Sequence, residues 1–386
     1  MRGPGALILE QRTSLDDVAT DEWNALAGDY PFLSHAFLTA LERSGCIGGN
    51  TTWQPAYLTV RDDTHKLVGA LPLFVKYDSR GEFVFDWGWA DAYERAGRNY
   101  YPKLVGAVPF TPATGPRLLV DPGMPDRAPI ARALLNGALG VARDVDASSI
   151  HVLFPSSIDC ADLQAARYLE RKGCQFHWRN HRYVDFDDFI SGFTSVKRKK
   201  VRRERRRISD AGIVFEHLTA DQLTVADWDA VFEYYSRTFL LRGRRPYLNR
   251  AFFDELTRTM PKQLVVAIAR FDGRPIAAAI CFRSRSHLYG RYWGSLAEFH
   301  SLHFETCYYQ GIDYCIREGL EIFEPGTQGE HKISRGFSPT ATWSYHHILD
   351  EDFRAAIGDF LDRETRYVDA YIDDLGEHVP YRKDLD

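Results

Sequence analysis

The sequence predicts an α/β (α+β) protein of two tandem domains, each a mixed, mostly antiparallel sheet flanked by helices. Its 386 residues exceed the usual size of a single hydrophobic core. A pattern of three strands, a helical stretch and an apolar strand occurs twice along the chain. The repeat period of about 200 residues is too long for a solenoid and indicates two copies of one domain. We expect an N-terminal domain over 1–190 and a C-terminal domain over 191–386.

The two copies are predicted from short apolar segments separated by polar turns. In the first copy we expect strands at 56–60, 67–75 and 83–89, a helix at 129–143 and a strand at 150–154. In the second copy we expect strands at 264–270, 275–283 and 287–293, a helix at 301–318 and a strand at 320–323. Asp272 and Gly273 predict a hairpin turn. An apolar stripe over 353–375 predicts an amphipathic helix that packs on the core.

Composition excludes several protein classes. A hydrophobic fraction of 45% and a charged fraction of 26% are typical of a folded globular protein. A net charge of -5 argues against a protein that coats nucleic acid. The six cysteines show no CxxC pair, which fits a reducing cytoplasm, and no apolar run predicts a signal peptide or membrane insertion. His300 and His303 lack a matched set of further ligands, so we expect no metal site.

The segment 323–337 is the densest candidate site. It leaves a predicted strand and becomes a polar loop that contains Glu324, Gln328, Glu330, His331, Lys332 and Arg335. Glu330 or His331 could take a proton from an attacking amine. Lys332 and Arg335 could hold a phosphate or carboxylate. The alternative is a solvated loop with surface salt bridges.

A second candidate is the basic run 197–207, which contains nine basic residues and one acid. Its apolar residues form no core-facing stripe, so we expect a helix that is basic nearly all round. Such a helix attracts phosphate-rich partners such as tRNA, coenzyme A or a nucleotide-linked wall precursor. Arg198 and Arg202 are the predicted donor-binding residues. The alternative is a solvated helix that pairs with the acids of this chain.

Aromatic residues around the end of the second meander form a third candidate. The hydroxyl of Tyr292 could protonate a leaving group. Trp293 and Tyr309 could contact the donor. The alternative interpretation is a set of core residues, because buried aromatic clusters are common in protein interiors.

Four motifs resemble one bacterial family. They are EPGTQGEHKISRGF at 324–337, KRKKVRRERRR at 197–207, GRYWG at 290–294 and CYYQGIDYCI at 307–316. The sequence resembles the GNAT-superfamily peptidoglycan biosynthesis/recognition family, which is related to the Fem-like aminoacyltransferases. The resemblance covers nearly the whole chain. It implies two tandem GNAT-like domains and transfer of an acyl or aminoacyl group to an amine.

The resemblance leaves the donor and the acceptor open. The donor it implies is an acyl-CoA or an aminoacyl-tRNA, and the acceptor is an amine on a small molecule or a cell-wall precursor. Residues 295–304 contain no glycine, so the glycine-containing GNAT pyrophosphate loop is absent and acetyl-CoA use is in doubt. A Fem-like enzyme fed by aminoacyl-tRNA and a non-catalytic copy would both lack that loop.

The leading hypothesis is a cytoplasmic N-acyltransferase in which an amine attacks an activated carbonyl in the second-half cleft. Backbone N–H groups of two diverging strands would stabilise the oxyanion. The rival hypothesis is a non-catalytic binding protein that recognises a phosphorylated ligand or RNA through 197–207. A third possibility is a structural protein whose aromatic meander ends form a homodimer interface.

Overall fold

The described chain contains runs of strands separated by helices. The structure is a computed structural model, and it describes residues 6–327 and 329–382. The strands are β1 Ile8–Arg12, β2 Trp53–Pro55, β3 Tyr57–Arg61, β4 Leu67–Leu71, β5 Leu73–Lys76, β6 Lys103–Gly106, β7 Leu119–Val120, β8 Ser149–Leu153, β9 Leu169–Arg179, β10 Val214–Thr219, β11 Leu264–Phe271, β12 Arg274–Arg283, β13 His287–Ser295, β14 Ile322–Glu324 and β15 Ser338–Ile348. The helices are α1 Thr20–Ala27, α2 His35–Arg43, α3 Trp87–Arg95, α4 Ala128–Asp144, α5 Ser157–Ala165, α6 Phe186–Ser191, α7 Ser195–Asp210, α8 Val225–Leu240, α9 Arg250–Thr259, α10 Leu302–Phe304, α11 Gln310–Glu318 and α12 Glu351–Gly376. Within the described ranges, none of these helices has the length and apolar character needed to cross a bilayer.

The chain forms two compact units. The first contains Met1–Gly173 and Ala341–Asp369, and the second contains Cys174–Thr340 and Ala370–Asp386. These units differ from the linear ranges 1–190 and 191–386, because residues 341–369 return to the first unit. The linear domain boundaries stay a prediction.

In the first unit, β5, β6, β8 and β15 lie side by side. β6 pairs antiparallel with β5 and parallel with β8, where Val105 lies opposite His151. β15 adds an antiparallel edge to β8, with Tyr345 opposite Val152. Helix α4 buries its apolar face, including Leu134, against strand residues such as Ile150.

In the second unit, β10 to β13 form an antiparallel meander. β14 pairs parallel with β13, and the last part of β9 pairs antiparallel with β14. The order β12-β13-β14-β9 is thus antiparallel, parallel, antiparallel. The order β5-β6-β8-β15 of the first unit is the same. The predicted repeat is therefore confirmed. The Asp272-Gly273 turn is also confirmed, since both residues have the positive φ that a two-residue hairpin turn requires.

Two predicted strands of the first copy are wrong. The segment 67–75 contains two strands of different sheets, because Pro72 cannot donate the backbone hydrogen bond that would continue the ladder. The segment 83–89 is no strand, since α3 begins at Trp87. Its alternating aromatic residues misled the prediction: Phe85 and Trp87 are exposed, while Asp86 is buried.

Three helices of the second half also bear on the predictions. α7 is helical as predicted, but the expectation that it has no core-facing stripe is wrong, because Val201, Glu204 and Ile208 are buried. The predicted helix 301–318 is split into α10, a π-helical turn at Glu305–Tyr309, and α11. The C-terminal amphipathic helix is confirmed as α12, although Tyr367 of the predicted stripe is exposed.

Candidate functional site

The parallel ladder between β13 and β14 is short. It holds three pairs and ends where Tyr289 lies opposite Glu324, while β13 continues to Ser295. The strand pairing stops after Glu324, but the Pro325 backbone still passes so close to Gly290 that a Cβ there would lie 3.2 Å from Pro325 Cα. Beyond Tyr289, no described strand pairs with this side of β13, and we call residues 290–295 the open edge of β13. The Trp293 carbonyl in it accepts a hydrogen bond of 2.8 Å from Thr238 of α8. An extended ligand can pair with the other backbone groups of this edge as an added strand does.

The open part of β13 carries a β-bulge. Ile280 lies opposite Tyr292 and Cys281 lies opposite Gly290, so Arg291 is the extra residue. A bulge bends its strand and re-aims the following side chains, and bulges are frequent beside active sites. After the bulge, the Trp293 ring contacts His303 edge-on at 4.8 Å between centroids. The Tyr292 ring packs against Tyr235 of α8 at 4.7 Å.

The predicted loop after β14 folds into a 3-10 helix, Glu330–Arg335. Gly329 has a φ of 112°, and a Cβ at this position would lie 2.2 Å from the His331 ring. Only glycine fits here. The turn thus lets the His331 ring fold back, and His331 Nε2 lies 2.8 Å from the Tyr308 hydroxyl on the π-helical turn.

The next residue, Lys332, is buried and 1% exposed. Its Nζ donates a hydrogen bond of 2.6 Å to the Gly326 carbonyl, in the turn that faces Gly290. Burial lowers the pKa of Lys332 to about 7, because a charged amine loses its hydration there. No carboxylate of the described chain forms an ion pair with this amine. A lysine with these properties is a candidate proton acceptor near neutral pH.

Buried polar groups surround Lys332. His177 of β9 lies 3.9 Å from the Glu324 carboxylate, and burial lowers the pKa of His177 to about 3. The Tyr308 ring lies 6.0 Å from Lys332 Nζ. His303 completes the group, and burial lowers its pKa to about 4. Both histidines are therefore neutral at pH 7 and can donate or accept hydrogen bonds without adding charge.

Arg335 has a different partner from the one the sequence suggested. Its Nη2 donates to both carboxylate oxygens of Glu204, at 2.9 and 3.0 Å, and both residues are buried. The guanidinium also lies 3.4 Å from the centre of the Phe304 ring. Tyr309 donates to Glu204 at 2.5 Å. Arg335 and Tyr309 therefore fasten the 3-10 helix and the π-helical turn to α7.

Several predicted site residues lie outside this buried cluster. Glu330 is exposed and accepts a hydrogen bond of 2.7 Å from Tyr371. Arg198 donates to the Ser191 carbonyl, and Arg202 pairs with Asp187 at 2.9 Å. Gln328 lies outside the described residues.

A pocket of about 420 Å³ lies between α7 and the 3-10 helix. Lys200, Arg203, Glu204, Arg207, His300, Phe304, His331, Ser334 and Arg335 line it. His331 thus faces this pocket and also contacts Tyr308. The sequence indicated the basic helix, but it did not indicate which of its residues face a pocket.

Sequence reasoning missed His177 and Glu204. His177 belongs to a strand of the second unit that precedes the basic run, and a lone histidine in an apolar strand carries no signal. Glu204 is the single acid of the basic run, and this oddity was the signal that could have marked it as a buried partner.

Comparison with known proteins identifies the family. A family model for FemAB-like proteins, described as peptidoglycan biosynthesis/recognition, matches residues 14–383. The chain belongs to the FemAB-like family. The predicted resemblance is confirmed, and with it the coarse function of a Fem-like acyl- or aminoacyltransferase. No curated protein matches the chain.

Solved structures share the fold of this FemAB-like protein. FemX has a TM-score of 0.54 at 13% identity, with 90% of this chain and 100% of that chain covered. L-PGS from Bacillus licheniformis has a TM-score of 0.50 at 10% identity, with 84% and 95% covered. A tandem GNAT protein from the clavulanic acid biosynthesis pathway has a TM-score of 0.46 at 14% identity, with 89% and 99% covered. The likeness to FemX and L-PGS confirms the predicted fold class.

Proposed function

We propose that this FemAB-like protein transfers an acyl or aminoacyl group from an activated donor to an amine, with Lys332 as the proton acceptor. The observation that carries this proposal is the buried Lys332 amine at the start of the open edge of β13. Its pKa of about 7 matches the requirement for a general base at neutral pH. The family description favours an amine on a peptidoglycan precursor as the acceptor.

The donor binds along the open edge of β13, beyond Tyr289. Backbone groups there can pair with an amide-containing arm or an aminoacyl group, as in strand addition. This places the reacting carbonyl beside the turn at Gly326, which Lys332 Nζ already contacts. The aromatic rings of Trp293 and Tyr308 exclude water from this region, which strengthens the electrostatic interactions within it.

The reaction starts when the acceptor ammonium gives one proton to the neutral Lys332 amine. The free amine attacks the carbonyl carbon, and the new C–N bond forms as the carbonyl π electrons move to oxygen. The lysine is now an ammonium, and it stabilises the oxyanion together with backbone N–H groups of β13. Collapse breaks the bond to the leaving group, a thiolate or a ribose oxygen, which takes a second proton from the attacking nitrogen. Lys332 then releases its proton to solvent.

The other predicted residues have supporting roles in this proposal. His331 orients the Tyr308 hydroxyl, which lies within hydrogen-bond distance of it. Arg335 holds the 3-10 helix through Glu204 and does not contact the donor. Glu330 is not the base, because its carboxylate is exposed and bound to Tyr371. Acyl-CoA and aminoacyl-tRNA are made in the cytoplasm, and we propose that location for the reaction.

A panel of transfer reactions tests the proposal. The purified protein is incubated with acyl-CoA or aminoacyl-tRNA donors and with amine acceptors, including a nucleotide-linked wall precursor, and products are detected by mass spectrometry. We expect one donor class to give an amide product. Lys332→Met should lower transfer by at least about 100-fold, as is typical for loss of a general base. Glu330→Gln changes an exposed residue of the same 3-10 helix and should leave transfer within about threefold of the wild type.

The rival hypothesis makes a different prediction for the same panel. If the wild-type protein binds tRNA or coenzyme A but gives no product with any acceptor, it is a binding protein and the proposed catalysis is wrong. If transfer occurs and Lys332→Met retains it, transfer stands and the assignment of Lys332 is wrong.

A further inference from the structure

Three cations of α7 face one pocket. Lys200, Arg203 and Arg207 are spaced three and four residues apart, so they lie on one face of the helix. Together with His300, they line the pocket of about 420 Å³ that also contacts His331. A different face of α7 is buried through Val201 and Ile208. The fold therefore fixes the orientation of the helix and directs these three cations towards the pocket.

The pocket has an excess of positive charge. Its single acidic lining residue is Glu204, and both carboxylate oxygens of Glu204 bind the guanidinium of Arg335. Within the described ranges, the side chains of Lys200 and Arg203 form no hydrogen bond or ion pair. Among the described residues, the Arg207 side chain forms its polar contact with the His300 ring, at 3.2 Å. Like charges that converge on a pocket repel one another, and a bound anion removes that repulsion.

Other cations of the same helix are already neutralised. Arg202 pairs with Asp187, and Arg205 pairs with Glu305 and Asp313. The helix therefore distributes its charges in two ways: some cations fasten it to the second unit, and three stay available at the pocket. A basic helix that is only solvated would have no reason to form a pocket with its cations. Here residues near His300 and residues of the 3-10 helix form the other walls of that pocket.

We propose that this pocket binds a phosphate ester group of the acyl donor, held by Lys200, Arg203 and Arg207. Arginine and lysine are the side chains that bind phosphate oxygens with charge-assisted hydrogen bonds. The volume lies in the range of small-molecule sites and accommodates a phosphate with an attached sugar. His331 of the pocket lies 6.1 Å from the His303 ring, and His303 contacts Trp293 of β13, so a chain of ring contacts connects the pocket to the proposed reacting region.

This inference rests on the proposed function for the identity of its ligand, since coenzyme A and the 3′ end of a tRNA both carry phosphate esters. It also replaces Arg198 and Arg202, the donor-binding residues expected from the sequence. The glycine-containing pyrophosphate loop is missing from 295–304. The α7 cations supply the positive charge that such a loop would otherwise provide through its backbone.

Two labelled probes test the pocket. One is adenosine 3′,5′-bisphosphate, which carries the 3′-phosphate and the first 5′-phosphate of coenzyme A, and the other is a short RNA hairpin that ends in CCA. We expect the wild-type protein to bind one of them, and the preferred probe identifies the source of the phosphate. The triple variant Lys200→Gln/Arg203→Gln/Arg207→Gln should bind it at least about 30-fold more weakly at low salt.

A matched variant controls for charge. Lys197→Gln/Lys199→Gln/Arg206→Gln removes the same number of charges from the same helix without touching the pocket lining. Its affinity should fall by less than about fivefold, through long-range electrostatics alone. For the RNA probe, only the pocket variant should reduce the slope of log affinity against log salt by about 2. Both variants should fold, because neither changes the buried residues Val201, Glu204 and Ile208 of α7. Circular dichroism melts check this.

Each outcome decides between pocket binding and its alternatives. Equal losses in the two triple variants would mean non-specific attraction to a polyanion and would overturn the proposal. Binding of neither probe by the wild-type protein would also overturn it. A protein that binds through the pocket but transfers nothing would contradict the proposed function and leave the pocket assignment intact.

Discussion

The buried pair between Glu204 and Arg335 supports a quantitative prediction on stability. Glu204→Gln removes the carboxylate charge and leaves the Arg335 guanidinium buried, where it is 2% exposed. Removing one partner of a buried ion pair costs about 3–5 kcal/mol. Glutamine keeps one acceptor oxygen for Arg335, so we expect the lower end, about 3 kcal/mol. The surface variant Glu298→Gln is the control and should change stability by less than about 0.5 kcal/mol.

Urea unfolding followed by pulsed hydrogen exchange measures this effect, because peptides from β11 and α7 report on the second unit alone. The double variant Glu204→Gln/Arg335→Met should cost clearly less than the sum of the two single changes, since it leaves no unpaired charge. A loss below about 1 kcal/mol for Glu204→Gln, or simple additivity in the double variant, would refute the view that this pair fastens the 3-10 helix to α7.

Two further predictions concern single residues. Burial raises the pKa of Glu82 from 4.5 to about 7. Between these pH values the folded state keeps a proton that the unfolded chain releases. The contribution of Glu82 to stability therefore falls as pH rises from about 5 to about 7. Chemical unfolding at several pH values should show that the free energy of unfolding falls less with pH in Glu82→Gln than in the wild type. An unchanged pH dependence would contradict the raised pKa of Glu82. Gly294→Ala should destabilise the second unit by more than about 3 kcal/mol, because the new Cβ would lie 1.9 Å from the Tyr234 carbonyl oxygen. Gly140→Ala, in α4 with nothing within 4 Å, should instead increase thermal stability slightly, and a similar loss in both variants would count against the close α8 contact.

Local patterns predicted the second meander well. The apolar runs of β11 and β12 and the Asp272-Gly273 turn are local signals, and they agree with the burial of these two strands along most of their length. The same reasoning failed at Phe85 to Trp89, where aromatic alternation looked like a strand. There the fold buries Asp86 beside Lys103, a contact between residues far apart in sequence that no local pattern shows.

The candidate site was predictable in its location but only partly in its arrangement. The crowding of titratable groups between Glu324 and Arg335 marked the segment. The direction of each side chain depends on non-local contacts: Lys332 turns inward towards Gly326, while Glu330 turns outward to Tyr371. The sequence assigned phosphate binding to Arg335, whereas the structure uses Arg335 to neutralise Glu204. The partner of Arg335 depends on how α7 packs against the 3-10 helix, which the sequence does not show.

Direct titration of Lys332 tests the central claim. Lysine labelled with ¹³C at Cε gives one NMR signal for each side chain, and the signal missing in Lys332→Met identifies Lys332. We expect this signal to titrate with a pKa of about 7, while exposed lysines titrate near 10.5. A Lys332 pKa above about 9 would mean that the amine is charged at neutral pH, and it would contradict the role of Lys332 as the proton acceptor.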